Sequence, residues 1–296
     1  MRIDRCLTFS AMLLALGLRL AAQPSQQDWA QHVGWDGVSH FTEYLIFSPG
    51  FMGPNALPVP VLPEGRIIRE GFVSVGGALH RAPGDFTRNF TAALAYSPDR
   101  KRAAFDLYLV PQEFFTVSDS LKWQRNVYYR NWNERRAIGD LYVNSHLQLL
   151  FAGRHPLDLT LRAGLRTASS SKKEAARYTD APGYYFDLSG GRDLGRHFRL
   201  YGMAGLYVWQ TNQDRQYQND AFLFGLGQSW RQGPWHVWLH AAGYLGYLNN
   251  GDRPLTLRAG AEWRQGRWGW IAEGQWGLLD LPYRSVEARA RYYLFP

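Results

Sequence analysis

Hydrophobic residues recur at every second position from Gly71 to the end of the chain, with little sign of the 3.6-residue period of a helix. In "LDLTLRAGLR", Leu157, Leu159, Leu161, Ala163 and Leu165 share one face, and Asp158, Thr160, Arg162, Gly164 and Arg166 the other. The segment "LTLRAGAEWR" repeats the design, with Leu255, Leu257, Ala259, Ala261 and Trp263 opposed by Thr256, Arg258, Gly260, Glu262 and Arg264. Twelve such segments are predicted, at roughly 71–80, 86–96, 102–115, 137–150, 156–167, 183–192, 197–209, 219–231, 235–248, 254–265, 268–278 and 285–295. An even number of short amphipathic strands predicts an all-β fold, a transmembrane antiparallel barrel of about 12 strands.

The connectors sort into two kinds. "SPDRK", "AGRH", "DLGR", "QGP" and "QG" are tight; the alternating set contains "VSDSLKWQRNVYYRNWNERR", "ASSSKKEAARYTDAP" and "QTNQDRQYQN", each read as a long loop. Short periplasmic turns opposite longer external loops is the asymmetry of an outer-membrane barrel, and it puts both barrel ends in the periplasm. A soluble sandwich or barrel also carries one apolar face per strand. Against it, the polar faces here are rich in Arg, Asp, Tyr, His and Gly. Trp209, Trp230, Trp235, Tyr247, Trp263, Trp268 and Trp276 also stand near strand ends, as interfacial girdles do.

Composition supports the membrane reading: 12 Trp, 17 Tyr and 30 Gly accompany a chain with no apolar run of helix-spanning length after its first residues. Those first residues, with Arg2, Arg5, the run "LTFSAMLLALGL" and then "RLAAQ", predict a secretory signal over 1–22, cleaved after Ala22, and hence export to the bacterial outer membrane. The single cysteine, Cys6, precedes that run, so the mature chain has no disulfide. Net charge is +8, and losing Arg2, Arg5 and Arg19 with Asp4 leaves +6; the arginines are scattered, which argues against a nucleic-acid partner. Residues 23–70 lack the alternation. "FSPGFMGPNALPVPVLPEGR" has five prolines, and the segment is expected to be either an arm at or inside the periplasmic mouth or a flexible leader, before a barrel over 71–296.

Between 139 and 230, the segments "GDLYVNSHLQLL", "LDLTLRAGLRTASS", "GYYFDLSGGRDLGRHFRLYGMAGLYVWQ" and "NDAFLFGLGQSW" resemble the central strands of the outer-membrane transporter-like family of the phenol meta-degradation pathway, related to fatty-acid channels. The resemblance covers about a third of the chain and implies uptake of hydrophobic or aromatic small molecules. The proline-rich segment and "ARYTDAPGYYFD" depart from that family's pattern.

Consistent alternation turns Asp140, His146, Asp158, Arg162, Arg166, Asp187, Arg199, Arg258, Glu262, Glu273, Glu287, Arg289 and Arg291 into the lumen, with Asp106, Tyr142, Asn144, Gln148, Tyr201, His236 and His240. Both signs are present, so these groups either pair into a salt-bridged filling or ring a selective pore. Arg177, Tyr178, Asp180 and Tyr185 form the candidate ligand loop. Ser145 with His146 and Ser189 with Asp187 are the candidate nucleophile pairs, and the rule that strand neighbours point to opposite faces argues against both; no "GxSxG" occurs, and no catalytic residue is assigned. His236 and His240 stand about 13 Å apart on a strand, too far to share a metal, and no cofactor is expected. The expected partners are the lipid bilayer, lipopolysaccharide facing the arginines of "KWQRNVYYRNWNERR", the barrel-assembly machinery and a small solute. The leading expectation is passive uptake of small amphipathic or hydrophobic solutes. A filled barrel with loop-borne adhesion or scaffolding, and a membrane lipid hydrolase, are the alternatives.

Overall fold

A computed structural model describes residues 26–128, 135–213 and 216–294. The signal predicted over 1–22 and Cys6 lie outside them, as do residues 129–134 of the arginine-rich loop. The strands are β1 (Phe72–Ala82), β2 (Asp85–Tyr96), β3 (Ala103–Val117), β4 (Arg136–Ala137), β5 (Leu141–Leu150), β6 (Asp158–Arg166), β7 (Gly183–Leu194), β8 (Phe198–Gln213), β9 (Gln216–Gln232), β10 (Trp235–Gly246), β11 (Leu255–Gln265), β12 (Trp268–Leu279) and β13 (Arg284–Tyr293). Apart from the two-residue β4, which rides on β3, each strand pairs antiparallel with its sequence neighbours. β13 pairs with β1 from Phe72↔Tyr293 to Arg81↔Arg284, closing a barrel of twelve strands. Closure leaves no sheet edge, the condition for a sheet to sit in lipid.

Phe186, Leu188, Leu161, Leu165, Phe105, Leu107, Trp268 and Trp270 point outward with more than a third of their surface exposed, while Thr160, Arg162, Ser189 and Asp187 on the same strands are buried inside. The usual arrangement is thus inverted: the apolar face meets the surroundings and the polar face is enclosed. This is what a bilayer as solvent demands. No described helix is long and apolar enough to cross a membrane; the crossing elements are strands.

Two connectors differ from the sequence reading. "QTNQDRQYQN" is strand for most of its length, because β8 and β9 continue as a paired ribbon to Gln213 and Gln216. Alternation fades there because both faces are polar, whereas backbone pairing needs no apolar face. The segment predicted at 137–150 is divided into β4 and β5, and residues 138–140 break the ladder between them. The loop after β3 folds into a short helix, α2 (Asp119–Gln124), capped by Ser118 Oγ accepting from Leu121 N.

The N-terminal segment is neither a leader nor confined to the periplasmic mouth. Its first element, α1 (Gln26–Val33), lies among the loops that link β3 to β5: Trp29, fully buried, donates its indole N–H to Asn126 O at 3.0 Å, and His32 stacks on Trp123 at 4.1 Å. From there the chain descends through the whole interior and enters β1 at the opposite end, where Leu294 N bonds Gly71 O at 2.9 Å. The main apolar core is therefore inside the barrel. Leu45, Phe47, Met52, Leu57, Val59 and Leu62 of the arm pack on Tyr185, Tyr201, Met203, Tyr207, Trp209, Leu223 and Tyr244 of β7 to β10.

Because Leu161 faces outward at the middle of β6, Leu161→Arg is expected to cost about 2–4 kcal/mol, against about 0–1 kcal/mol for Tyr247→Arg at the loop-side rim. Urea titration of the chain folded into phosphatidylcholine vesicles measures both.

Candidate functional site

The interior is built from the arm and the wall that receives it. Residues 56–66 of the arm belong to no helix or strand, so their backbone polar groups need partners other than a ladder. The wall supplies them. Tyr244 Oη donates to Leu57 O at 2.9 Å, Arg258 Nη2 to Val59 O at 2.7 Å and Arg162 Nη1 to Val61 O at 2.7 Å, one carbonyl at every second residue. Arg199 Nε and Gln148 Nε2 follow on Glu64 O and Gly65 O at 2.8 and 3.0 Å. Pro58, Pro60 and Pro63 intervene, and each removes an N–H that would otherwise need an acceptor. At Gly65 (φ +74°) the arm touches β7: a Cβ there would lie 2.4 Å from Gly191 N, so neither glycine has room for a side chain.

A charged clamp grips each end. On the loop side, Arg177 donates to Glu113 at 2.8 Å, Asp85 at 2.6 Å and Thr87 at 2.7 Å, with its guanidinium 4.4 Å from the centre of the Phe115 ring. Arg125 joins Asp85 at 3.0 Å and reaches Met52 O of the arm at 3.2 Å; Asn55 of the arm donates to Glu113 at 2.7 Å. Both arginines and both carboxylates are fully buried, two charges against two. At the tight-turn end, Arg66 and Arg199 share Asp158 and Asp193, while Glu64 binds Arg231 at 2.7 Å and His236 at 2.9 Å. Burial works to raise the Glu64 carboxyl; the His236 hydrogen bond and the Arg231 charge outweigh it and hold the group at about 2. Burial likewise opposes the charge on Arg177, and Glu113 with Asp85 carry it above the ordinary arginine value.

Asp140, His146, Asp158, Arg162, Arg166, Asp187, Arg199, Arg258 and Glu262 all lie buried within the barrel. Most are paired: Arg162 with Asp187 (2.7 Å), Arg166 with Asp140 (2.9 Å), His146 with Asp106 (2.6 Å) and Arg291 with Glu262 (3.1 Å). The interior is nonetheless lopsided. Glu273, Glu287, Arg289 and Asp106, on the wall of β3, β12 and β13, keep 15–21 % of their side-chain surface, and Val61 of the arm is 59 % exposed. The arm leans on the aromatic wall and leaves a solvent-accessible strip beside the charged one.

The candidate ligand loop is instead part of this packing. Arg177 and Tyr178 are fully buried on Glu113, and Tyr185 is not in the loop but on β7, donating to Asn144 Oδ1 at 2.6 Å; Asp180 lies between them in the linking segment. Ser145 is exposed outside while His146 points in. Ser189 and Asp187, two residues apart, share the inner face, so strand parity does not separate them; Asp187 is occupied by Arg162. Among the described residues no three His, Cys, Asp or Glu side chains converge as a metal site. Sequence reasoning missed Asp85, Glu113, Arg125 and Tyr283, whose hydroxyl accepts from Arg125 at 2.8 Å and donates to Asp85 at 2.9 Å, and in the arm Glu64 and Arg66. The signal for the last two was available: charges inside a proline-rich apolar run need partners.

No protein-family model and no curated protein sequence matches the chain. Among solved structures, the COG4313 outer membrane channel from Pseudomonas putida F1 superimposes over 80 % of this chain and 100 % of its own, at 10 % identity and a TM-score of 0.56. The KdgM porin matches over 74 % of this chain and 98 % of its own (8 % identity, TM-score 0.47), and an anion-selective porin from Comamonas acidovorans over 76 % and 98 % (11 %, 0.38). The fold is that of an outer-membrane β-barrel.

Arg177→Met leaves Asp85 and Glu113 buried with one arginine between them, and is expected to lower unfolding stability by about 3–5 kcal/mol in urea titration. The Glu64 clamp has its own pH signature. A carboxyl lowered on folding stabilises fully above its unfolded value, near 4.5, and loses that contribution as pH falls through about 2. A spin label at Val61→Cys is expected to gain mobility across that window in the parent and to be mobile throughout in Glu64→Gln.

Proposed function

We propose that the protein is a channel of the bacterial outer membrane for small amphipathic solutes, held closed in this state by its own threaded arm. The observation that carries the reading is the two-sided lumen. One wall is aromatic and apolar, with Tyr185, Tyr201, Tyr207, Trp209 and Tyr244 covered by the arm; the other carries Asp106, Glu273, Glu287 and Arg289 on a solvent-accessible strip. A passage with one face for rings and chains and one for charge suits solutes that have both. The arm is held in the lumen by noncovalent contacts, many of them from long side chains to its carbonyls, and such bonds are exchangeable with water at about 0.5–3 kcal/mol each, the arginine bonds at the upper end. Likeness to a named outer-membrane channel supports the reading through the fold.

A filled, non-conducting barrel is favoured by one fact: the arm's core residues are buried as deeply as the interior of a soluble domain. Its function would then reside in the loops. Planar-bilayer recording separates the two. The full mature chain is expected to be closed or to flicker, and a chain lacking residues 26–64 to show stable steps at least several-fold larger. Silence from the shortened chain, with heat-modifiable migration proving a folded barrel, would sink the channel. Replacing Glu273 and Glu287 together by Gln in the conducting form is expected to reduce its preference for cations, read as a shift in reversal potential across a salt gradient.

A further inference from the structure

The outward faces of the strands carry few charges, and four of them are arginines side by side at the loop end. Arg81 on β1 stands directly opposite Arg284 on β13. Arg88 on β2 and Arg136 on β4 both face Phe114 of β3 in register, and their guanidiniums lie 5.4 and 5.5 Å from the centre of that one ring. All four are exposed, and none has an ion-pair partner among the described residues. Apolar side chains border them on the same surface: Leu79, Phe86, Phe90 and Val286 are each about half exposed.

This arrangement is costly unless something anionic covers it. Like charges directly across a strand pair repel, and an unpaired arginine gains nothing from an acyl environment even near the rim, where it is tolerated. Arginine offers forked donors that match phosphate oxygens in pairs. The Phe114 ring fixes two of the forks by cation–π contact, so less side-chain freedom remains to be lost on binding. The neighbouring leucine and phenylalanines meet hydrocarbon in the same layer. The occupant must therefore present several phosphates at the level of the external headgroups and carry acyl chains below them.

We propose that Arg81, Arg88, Arg136 and Arg284 form a binding site for the phosphorylated, acylated disaccharide of lipopolysaccharide, on the outer wall of the barrel. The site is independent of whether the lumen conducts. It sits on the external surface of β13, β1, β2, β3 and β4, whose inner faces hold Asp85, Thr87 and Glu113 of the loop-side clamp. A bound glycolipid would thus brace the part of the wall that grips the arm.

The test uses the refolded full mature chain in a neutral detergent, with lipid binding followed by native mass spectrometry. Lipopolysaccharide is expected to remain bound. Arg88→Gln with Arg136→Gln, and separately Arg81→Gln with Arg284→Gln, are each expected to weaken it at least ten-fold, and Phe114→Leu several-fold. Arg264→Ala, at the periplasmic rim, should leave binding unchanged. Lipopolysaccharide stripped of its phosphates is expected to bind at least ten-fold more weakly than the parent lipid, and neither inorganic phosphate nor phosphatidylglycerol to compete at equal concentration. A quadruple Gln variant that migrates as a folded barrel yet binds lipopolysaccharide like the parent would overturn the site. Equal binding of the dephosphorylated lipid would refute phosphate recognition, and effective competition by inorganic phosphate or phosphatidylglycerol would refute the glycolipid as its source.

Discussion

A polypeptide that crosses the inside of a closed barrel meets no free strand edge, so its backbone groups must be bonded by side chains, loop backbone or water instead of a ladder. Much of this structure follows from that constraint. The lumen arginines and tyrosines are long because they must reach the arm's backbone, and the prolines of the arm are frequent because each removes a donor that the wall has no acceptor to receive. Glycines sit where backbone meets backbone, at Gly65 and Gly191, since no other residue permits the approach.

The same constraint explains why charge is concentrated at both ends of the thread. Carbonyl bonds alone hold an extended chain loosely, whereas the clamp of Arg125 and Arg177 on Asp85 and Glu113 ties the arm to three separate loops at once. Its charges balance, which makes burial tolerable; removing any one partner leaves an uncompensated ion in a dry site. At the tight-turn end, Arg66 and Glu64 perform the same service shortly before β1. The arm and the external loops thus order one another: Met52 and Gly53 of the arm are held by the loop residues Arg125 and Ala176, and Asn55 by Glu113 of β3.

Arginine serves three environments on one molecule, and the surroundings decide its task. Inside, Arg162 and Arg258 donate to backbone; in the clamps, Arg125, Arg177 and Arg66 neutralise carboxylates. Outside, Arg88 and Arg136 are steered by a phenylalanine and left open to the membrane surface. A count of basic residues or a net charge of +8 distinguishes none of these.

The period-two alternation determined the strands and their two faces, because side-chain direction along a strand is dictated by the pleat, and the aromatic residues near strand ends together with the composition of the polar faces turned the polar faces inward. Leu161 out and Arg162 in could be read directly from their neighbours. Strand ends were less legible where, as at Gln210 to Gln213, both faces are polar and the ladder runs on without a pattern to reveal it. The path of the arm was decided only by the tertiary structure. Five prolines exclude helix and central strand but are equally compatible with a free leader and a threaded plug, and only the positions of Arg162, Arg199, Tyr244 and Arg258 around one axis choose between them. The clamp was invisible for a related reason. Asp85 and Glu113 share the β2–β3 hairpin and Arg125 follows β3, but Arg177 comes from the loop between β6 and β7, and no local pattern shows that this loop folds over the mouth to pair with them.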